Sequence, residues 1–217
     1  RYNNDLEASY HPRSDGIGVD LGVKSLAIVS DGRIFENINR TSRARRLERR
    51  LRREQRRLSR KYEMRKKKGG STATASANIE KKKLSVQRLH RRLANLRRNH
   101  ENQVIHALVE PKPRFITVED LNVTGMMKNR HLSKAVVQQR FYTFREKLRR
   151  KAEIIGIEVR IADRFYPSSK TCHACGHVHS GLKLKDRTYV CPACGYKKDR
   201  DFNAALNLRD TKNYRIA

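Results

Sequence analysis

A single cluster of cysteines constrains the fold of this chain more than any other feature of its sequence. All four cysteines of the chain fit the pattern C-x2-C-x15-C-x2-C: Cys172, Cys175, Cys191 and Cys194. Two cysteines three residues apart can direct their thiolates at one point, and Gly176 and Gly195 supply the tight turns behind the pairs. Four thiolates about 2.3 Å from one ion suit Zn²⁺ and leave no open coordination position. We therefore predict a small structural zinc ribbon over residues 168–197.

Two disulfides or an iron–sulfur centre are the alternatives for the same cysteines. Disulfides persist in oxidising compartments, and nothing else in the sequence indicates one, so we expect a reduced, cytoplasmic protein. His173, His177 and His179 lie close to the first cysteine pair. Because four thiolates already saturate a zinc ion, we expect these histidines to be surface residues.

The chain is strongly basic, with 51 Lys and Arg against 22 Asp and Glu and a formal net charge of +29. Such a charge favours a polyanionic partner, nucleic acid before an anionic membrane. We expect no membrane partner, because no apolar run approaches the roughly 18 residues that span a bilayer. The chain starts with Arg1 rather than Met, and residues 1–16 have the composition of a loop, so we expect it to be part of a longer polypeptide.

The first half of the chain predicts three short strands followed by two basic helices. Short apolar runs at 17–20 and 25–29, followed by a third strand, predict an antiparallel meander. More than half of residues 40–68 are Lys or Arg, yet leucines recur at helical spacing, which predicts a long helix. A flexible connector at 66–78 leads into a second basic helix. These two helices together would form a helical hairpin. Its charged surface has two interpretations: it is simply solvated, or it binds the phosphate backbone of a nucleic acid.

The second half of the chain predicts a strand, a helix and another strand in succession. Residues 114–123 have the pattern of a buried strand, residues 136 to about 156 that of a helix, and residues 157–161 that of a strand. This succession favours parallel pairing through a right-handed crossover. Together with the meander it predicts a mixed α/β sheet.

Four acidic residues are candidates for chemistry, and each alone has an ordinary explanation. Asp20, before a glycine, has the setting of a turn residue. Glu119 ends a strand whose alternation places Thr117 and Glu119 opposite Ile116 and Val118, so it is either a half-buried carboxylate or an edge acid paired with arginine. Asp199 and Asp201 precede a short helix, and either suits its N-cap.

Taken jointly, two strand-end acids and one helix-start acid can converge on one edge of a sheet. Carboxylates at close range repel, and divalent metal neutralises them, with oxygen ligands selecting Mg²⁺ or Mn²⁺. Two such ions about 4 Å apart can activate water and stabilise the leaving oxygen in phosphodiester cleavage. On this hypothesis the acids hold metal and the basic surface holds the polyanion.

Four ordered motifs resemble those of the transposon-encoded TnpB (OrfB) proteins, which are related to the type V CRISPR effector nucleases. The likeness runs from about residue 16 to residue 208, with the basic hairpin between the first two motifs. The motifs are "GIGVDLGVKSLAIVSDG", "FITVEDLNVTGM", "DRFYPSSKTCHACG" and "CPACGYKKDRDFNAALN".

The resemblance implies a RuvC-like nuclease domain of ribonuclease H-like fold over residues 1–167 and 198–217. It implies that the basic hairpin, about 40–110, is an insertion and that the zinc ribbon is inserted before the final helix. It also implies that Asp20, Glu119 and Asp201 are the catalytic, metal-binding acids. The family's last motif selects Asp201 over Asp199, and its glutamate matches Glu119 rather than Asp120.

Family members are RNA-guided DNA endonucleases, so the resemblance implies DNA as substrate and a transposon-derived guide RNA as partner. The amino-terminal region that holds much of the guide in the family is absent from these 217 residues. Guide binding is therefore expected to need that region. Two alternatives stay open: a zinc-ribbon protein that binds nucleic acid without cutting it, and a transposase that transfers DNA strands.

Overall fold

The computed structural model of the chain describes residues 15–67, 73–183 and 185–217. The chain divides into two compact units, one within residues 15–37 and 103–217 and the other within residues 38–102. Most of the loop expected for residues 1–16 lies outside the described residues. Of the helices described, none has an apolar stretch long enough to cross a lipid bilayer.

Eight strands are present in the described residues of the first unit. They are β1 (Ile17–Leu21), β2 (Ser25–Val29), β3 (Ile34–Glu36), β4 (Phe115–Glu119), β5 (Glu158–Ala162), β6 (Thr188–Val190), β7 (Lys197–Asp199) and β8 (Tyr214–Ile216). Six of them form one sheet in the order β3-β2-β1-β4-β5-β8, and β6 pairs with β7. The antiparallel meander β1–β3 and the parallel pairs β1–β4 and β4–β5 confirm the predicted mixed α/β sheet. Strand β8, antiparallel to β5, was not predicted.

Within the described part of the chain, six α-helices connect or cover these strands. They are α1 (Ser42–Lys67), α2 (Ala73–Val109), α3 (Val123–Lys128), α4 (Ser133–Gln139), α5 (Phe141–Ile155) and α6 (Arg200–Asp210). The single helix predicted from residue 136 is wrong, because Arg140 adopts a left-handed conformation with φ of 54° and separates α4 from α5. The buried Gln139 side chain donates a 3.0 Å hydrogen bond to the carbonyl of Gly22, which fixes this junction beside the β1–β2 turn. Helix α5 ends at Gly156, as predicted.

The second unit is the predicted basic helical hairpin, formed by α1 and the first part of α2. The connector predicted at 66–78 is wrong over most of its length, because α1 continues to Lys67 and α2 already begins at Ala73. Residues 68–72 lie outside the described part of the chain.

Leucines and one buried acid hold the two helices of the hairpin together. Buried apolar side chains form its small core: Leu51, Val86, Leu89 and Leu93. Leu84 is 48% exposed and lies outside this core. Lys82 of α2 donates a 2.6 Å hydrogen bond to the carboxylate of Glu54 in α1. This hydrogen bond is the main reason that the pKa of Glu54 is lowered. The carboxylate thereby offsets part of the repulsion between two basic helices.

The two faces of the large sheet have different partners. Ile17, Val19, Ile116 and Val118 belong to the main apolar core, together with Phe144 of α5. Side chains alternate along a strand, so the residues between them point to the opposite face, which α6 covers. Asp20 and Glu119 therefore lie on the face that carries α6.

Gly18 allows α6 to approach β1 unusually closely. A Cβ atom at this position would lie 2.0 Å from the carbonyl oxygen of Ala205 and 2.4 Å from the amide nitrogen of Arg209, both backbone atoms of α6. Real Cβ contacts are never this short, so any side chain would push the helix away from the strand. The glycine thus determines how near the second half of α6 comes to β1.

We expect Gly18→Ala to destabilise the chain by about 1–3 kcal/mol, because the added methyl group overpacks the α6–β1 contact. For a chain of this length each kcal/mol corresponds to a fall of roughly 2–4 °C in the midpoint of thermal unfolding. Gly181→Ala is the matched control, because Gly181 has no positive φ and the nearest atom to its virtual Cβ, in the His179 ring, lies 3.4 Å away, an ordinary van der Waals contact. Calorimetry in which both variants lose the same stability would contradict the close-approach explanation.

Candidate functional site

The two cysteine pairs form matching backbone turns. In the first turn, the backbone amide of Gly176 donates a 2.9 Å hydrogen bond to the carbonyl of Cys172. The backbone amide of Cys172 donates a 2.8 Å hydrogen bond to the carbonyl of His177. In the second turn, the amide of Gly195 donates a hydrogen bond to the carbonyl of Cys191, and the amide of Cys191 donates one to the carbonyl of Tyr196. Both glycines have positive φ, 74° and 73°, which confirms the tight turns predicted from the sequence.

These turns bring four sulfur atoms together in a geometry that fits zinc. All four Sγ atoms lie within 4.8 Å of one another, with 3.7 Å between Cys172 and Cys194 and 3.6 Å between Cys175 and Cys191. A tetrahedron with Zn–S bonds of about 2.3 Å has sulfur–sulfur edges of about 3.8 Å. A disulfide would need sulfurs about 2.05 Å apart, and all four cysteines are free. The site is a four-thiolate cluster that could bind zinc.

The histidines near this cluster differ in exposure. His177 is exposed, as predicted, whereas His173 and His179 are half-buried. His173 lies 3.7 Å from a carboxylate oxygen of Asp210, and the His179 ring packs edge-on against Tyr189. The prediction that all three are surface residues is therefore only partly correct.

Asp199 is the N-cap of α6. Its side chain accepts hydrogen bonds from the amides of Asp201 and Phe202, both at 3.0 Å, and satisfies two of the free donors at the helix start. Asp201 lies in the first turn, half-buried, with its carboxylate available for other contacts. The two neighbouring aspartates therefore occupy different structural positions.

Asp20, Glu119 and Asp201 lie close enough for their charges to interact. Burial raises the pKa of Asp20 well above its ordinary value, and the negative charges of Glu119 and Asp201 raise it further. Burial also raises the pKa of Glu119, against a hydrogen bond from Ser168, and the charge of Asp201 adds to the increase. The three predicted acids thus converge at the end of β1, the end of β4 and the start of α6.

Ser168 is a part of this site that the sequence analysis missed. Its side chain is buried, and its hydroxyl donates a 2.6 Å hydrogen bond to Oε1 of Glu119, 49 residues away in sequence. Ser168 thereby fixes the orientation of one carboxylate oxygen. The only sequence signal was its place in the segment between β5 and the first cysteine.

Arg200 is a second missed residue and balances part of the negative charge. Its guanidinium contacts Oδ1 of Asp201 at 3.0 Å and opposes the rise in the pKa of Asp20. Arg187 lies 3.8 Å from the other oxygen of Asp201. The acidic group is thus lined on one side by cations from the ribbon and from α6.

The oxygens of the three acids are more widely spaced than the four sulfurs. Among the residues that the structure describes, the cysteines form the one group of three or more potential ligands within 4.8 Å of one another. Two cations about 4 Å apart spread their ligands over a larger volume than a single ion does. The carboxylate oxygens are hard donors of the kind that divalent cations prefer, but among the described residues they do not form one compact set of ligands like the four sulfurs.

Two buried asparagines join α6 to the segment that carries Ser168. The amide of Asn207 donates to the carbonyls of Ser168 and Thr171, both at 2.7 Å, and that of Asn203 donates to Thr171 at 2.8 Å. They lie four residues apart on one helix face, in a sequence otherwise rich in Ala and Leu. This spacing of buried amides was the signal that could have identified them.

Asp120, next to Glu119, has a different environment. Arg145 and Arg164 contact its two oxygens at 2.8 and 2.9 Å, and Arg215 lies 3.8 Å away. Burial alone would raise the pKa of Asp120, but the hydrogen bonds from Arg145 and Arg164 outweigh it and lower the pKa. The edge acid paired with arginine, considered above for Glu119, is found at Asp120.

The fold and the sites define an α/β protein with a four-cysteine cluster and a group of three carboxylates from separate segments. A family model for OrfB of IS605, described as a probable transposase, matches residues 4–130, and a model for the Cas12f1-like TNB domain matches residues 141–208. The chain belongs to the OrfB (TnpB) family, which confirms the resemblance seen in the sequence.

Two curated relatives are named as putative RNA-guided DNA endonucleases. One, from Streptomyces pristinaespiralis, is 34% identical over 88% of this chain and 44% of its own length. The other, InsQ of Escherichia coli K12, is 30% identical over 94% of this chain and 51% of its own length. The chain thus spans about half the length of these relatives.

Solved structures of Cas12f share the fold. A cryo-EM structure titled as a CRISPR-Cas12f ternary complex aligns with a TM-score of 0.60 over 93% of this chain and 39% of that chain, at 18% identity. At this identity the similarity concerns the fold alone.

Proposed function

We propose that this chain is the metal-dependent nuclease part of a transposon-associated, RNA-guided DNA endonuclease. One observation carries the proposal: β1 and β4 pair in parallel with Val19 beside Val118, so the strand ends that carry Asp20 and Glu119 lie side by side on the face covered by α6, whose first turn carries Asp201. The charges of Glu119 and Asp201 raise the pKa of Asp20, in agreement with this proximity. Acids held together against their repulsion, in a chain of net charge +29, are suited to cation binding beside a polyanion.

The proposed fold is RuvC-like, of the ribonuclease H type. The sheet order β3-β2-β1-β4-β5, an antiparallel meander followed by parallel strands, supports it, as does the likeness to Cas12f. In this division the nuclease domain covers residues 1–167 and 198–217, interrupted by the hairpin at about 40–110. The zinc ribbon covers residues 168–197.

The residues of the proposed active site would have three different roles: binding metal, orienting a carboxylate and providing positive charge for the substrate. Asp20, Glu119 and Asp201 would hold Mg²⁺ or Mn²⁺, and Ser168 would orient Glu119 through its 2.6 Å hydrogen bond. When bound, such a pair of cations can activate water and stabilise the leaving oxygen of a phosphodiester. Arg200 and Arg187 provide positive charge beside Asp201, where a phosphate of the substrate would approach.

The names of the relatives support DNA as substrate and RNA as guide. The hairpin supports a polyanionic partner on physical grounds, because a groove of about 750 Å³ lies along it. Arginines and asparagines line that groove, including Arg43, Arg46 and Arg92. Such side chains bind phosphate oxygens without reading sequence.

Cleavage of labelled single-stranded DNA, with and without Mg²⁺ or Mn²⁺, tests the proposal. We expect the wild-type chain and Asp199→Asn to cut with added metal, because an asparagine still caps α6. Asp201→Asn should not cut, since it removes a proposed metal ligand. Equal activity of both variants would overturn the assignment of Asp201.

The same assay separates the two alternatives. Tight DNA binding without cutting by the wild-type chain would favour a binding protein. Joined products in the presence of a pre-cut transposon end would favour a transposase.

We also expect the affinity for DNA to fall steeply with salt. A protein that neutralises six or more phosphates should lose about 10³-fold or more in affinity between 50 and 200 mM salt, because binding releases counterions. Changing Arg43, Arg46 and Arg92 together to glutamine should make the slope of log affinity against log salt shallower by about 0.9 for each phosphate that the variant no longer neutralises. A nearly flat salt dependence of the wild-type chain, measured by fluorescence anisotropy, would contradict binding of the phosphate backbone by the hairpin.

A further inference from the structure

A cavity of about 370 Å³ opens beside Glu119 on the first unit. Leu21, Leu121, Val123 and Phe141 give it apolar walls, and Tyr142, Arg145 and Arg164 add an aromatic ring and two cations. The volume falls in the range of pockets that hold a small organic ligand. The lining therefore combines the two chemistries that a nucleotide needs, a surface for a base and positive charge for a phosphate.

Tyr142 has the properties of a stacking platform. Its side chain is 65% exposed, although it lies in the first turn of a helix whose neighbouring residue Phe141 is buried. The guanidinium of Arg145 lies 5.9 Å from the centre of the Tyr142 ring, within cation–π range. A base that stacked on this ring would cover exposed aromatic surface.

The two arginines are held in place and keep donors to spare. Each uses one nitrogen on Asp120, at 2.8 Å for Arg145 and 2.9 Å for Arg164. A guanidinium carries five N–H donors, so these hydrogen bonds orient the groups without exhausting them. Glu119 and Asp120 line the cavity together with these two arginines, so a phosphate would be bound through the remaining guanidinium N–H donors and not through a surplus of positive charge.

The cavity also has a fixed place relative to the proposed catalytic acids. Glu119 lines it directly, and Leu21 follows Asp20 in β1. The hydrogen bond from Gln139 to Gly22 holds the start of α5, and with it Tyr142, beside this strand end. A group bound in the cavity would therefore lie next to Glu119, one of the three proposed catalytic acids.

We propose that this cavity is a subsite for one unpaired nucleotide of the DNA strand that is cut. The base would stack on Tyr142, and a phosphate would approach Arg145 and Arg164. A base still paired in a duplex cannot enter a cavity of this kind, so the subsite would select single-stranded DNA. The inference rests on the proposed function, because it takes the neighbouring acids to be the cutting site.

The chain contains no tryptophan, which makes Tyr142→Trp a single fluorescent reporter of the cavity. We expect a short single-stranded DNA, added without divalent metal, to quench this tryptophan. The same oligonucleotide with abasic sites, or paired in a duplex, should not quench it. Tyr62→Trp, on the basic hairpin and 44% exposed in the wild type, is the control for non-specific stacking.

Binding and cutting by further variants complete the test. Tyr142→Ala should weaken binding of the short strand on the order of tenfold, whereas Tyr142→Phe, which keeps the ring, should not. Arg164→Gln should lower the salt slope by about 1, as expected when one phosphate is no longer neutralised. Equal quenching by intact and abasic strands, with wild-type affinity for Tyr142→Ala, would overturn the subsite.

Failure of the subsite and failure of the nuclease are distinguishable. Base-dependent quenching by a chain that never cuts would support the subsite and remove the proposed hydrolysis. Metal-dependent cutting that Tyr142→Ala leaves unchanged, together with no base-dependent quenching, would support the nuclease and overturn the subsite.

Discussion

Asp20→Asn is expected to abolish metal-dependent cutting while leaving DNA affinity nearly unchanged. The amide keeps the shape of the side chain but removes a charged oxygen from the proposed metal site. Transition-state stabilisation by bound metal is worth several kcal/mol, so the rate should fall by about 10³-fold or more. Single-turnover cleavage and anisotropy on the same preparations measure the two effects separately.

The same variant should be more stable than the wild type when no divalent metal is present. Burial and the charges of Glu119 and Asp201 raise the pKa of Asp20, so folding favours its protonated form. This contribution to stability is complete below the pKa of the unfolded chain and is lost as the pH rises through the higher folded value. The stability of the wild type relative to Asp20→Asn should therefore decrease with increasing pH.

With added Mg²⁺, the wild type is expected to be more stable than Asp20→Asn. The ion should raise the midpoint of thermal unfolding of the wild type, because a ligand that binds only the folded state stabilises it. It should raise that of Asp20→Asn much less. If Mg²⁺ stabilises both proteins equally and the metal-free variant gains nothing, Asp20 is not a metal ligand.

Cys191→Ser is expected to have the second large effect, loss of the ribbon and of cutting together. Four thiolates account for the closure of the ribbon, whose described β structure is the short pair β6–β7 and one isolated bridge. Binding of structural zinc contributes about 10–16 kcal/mol in small zinc peptides, so removing one ligand should leave this segment unfolded.

Cutting should fall because the ribbon leads directly into α6. Strand β7 ends at Asp199, the N-cap of α6, and Asn203 and Asn207 bind the carbonyls of residues just before Cys172. An unfolded ribbon would release both anchors of the helix that carries Asp201. Metal analysis, hydrogen exchange over residues 172–198 and the cleavage assay measure the three consequences.

His177→Ala is the matched control for Cys191→Ser. His177 is exposed and lies within the same turn as the first cysteine pair, and four thiolates leave it no place on zinc. It should retain one zinc per chain and full cutting. Undiminished cutting by zinc-free Cys191→Ser would mean that α6 is positioned without the ribbon.

Features that depend on neighbours in sequence were predictable. Each cysteine pair closes its own turn through hydrogen bonds within six residues, so spacing and the following glycine were sufficient evidence. The alternation in β4 predicted that Ile116 and Val118 share one face of the strand, and both belong to the main apolar core. The strand–helix–strand succession likewise predicted the parallel pairing of β4 with β5, because a short crossover leaves few other topologies.

The errors came where a tertiary contact overrides a local preference. Residues 136–155 have continuous helical periodicity, yet Arg140 leaves the helix because Gln139 bonds to Gly22, 117 residues away. Strand β8 is only three exposed residues, and it exists because β5 offers an edge with free backbone donors and acceptors. Neither feature has a periodic pattern of its own.

The sequence by itself determined the thiolate cluster, the mixed sheet and the basic hairpin, because these follow from spacing, alternation and charge along the chain. It also indicated the family, through the resemblance of four ordered motifs. Only the tertiary structure decided how the acids are supported: Asp199 as the helix cap, Ser168 on Glu119, and Gly18 beneath α6. It also placed an exposed tyrosine and two arginines beside Glu119. These relations join residues far apart in the chain, and they depend on distances of a few ångströms that no sequence pattern encodes.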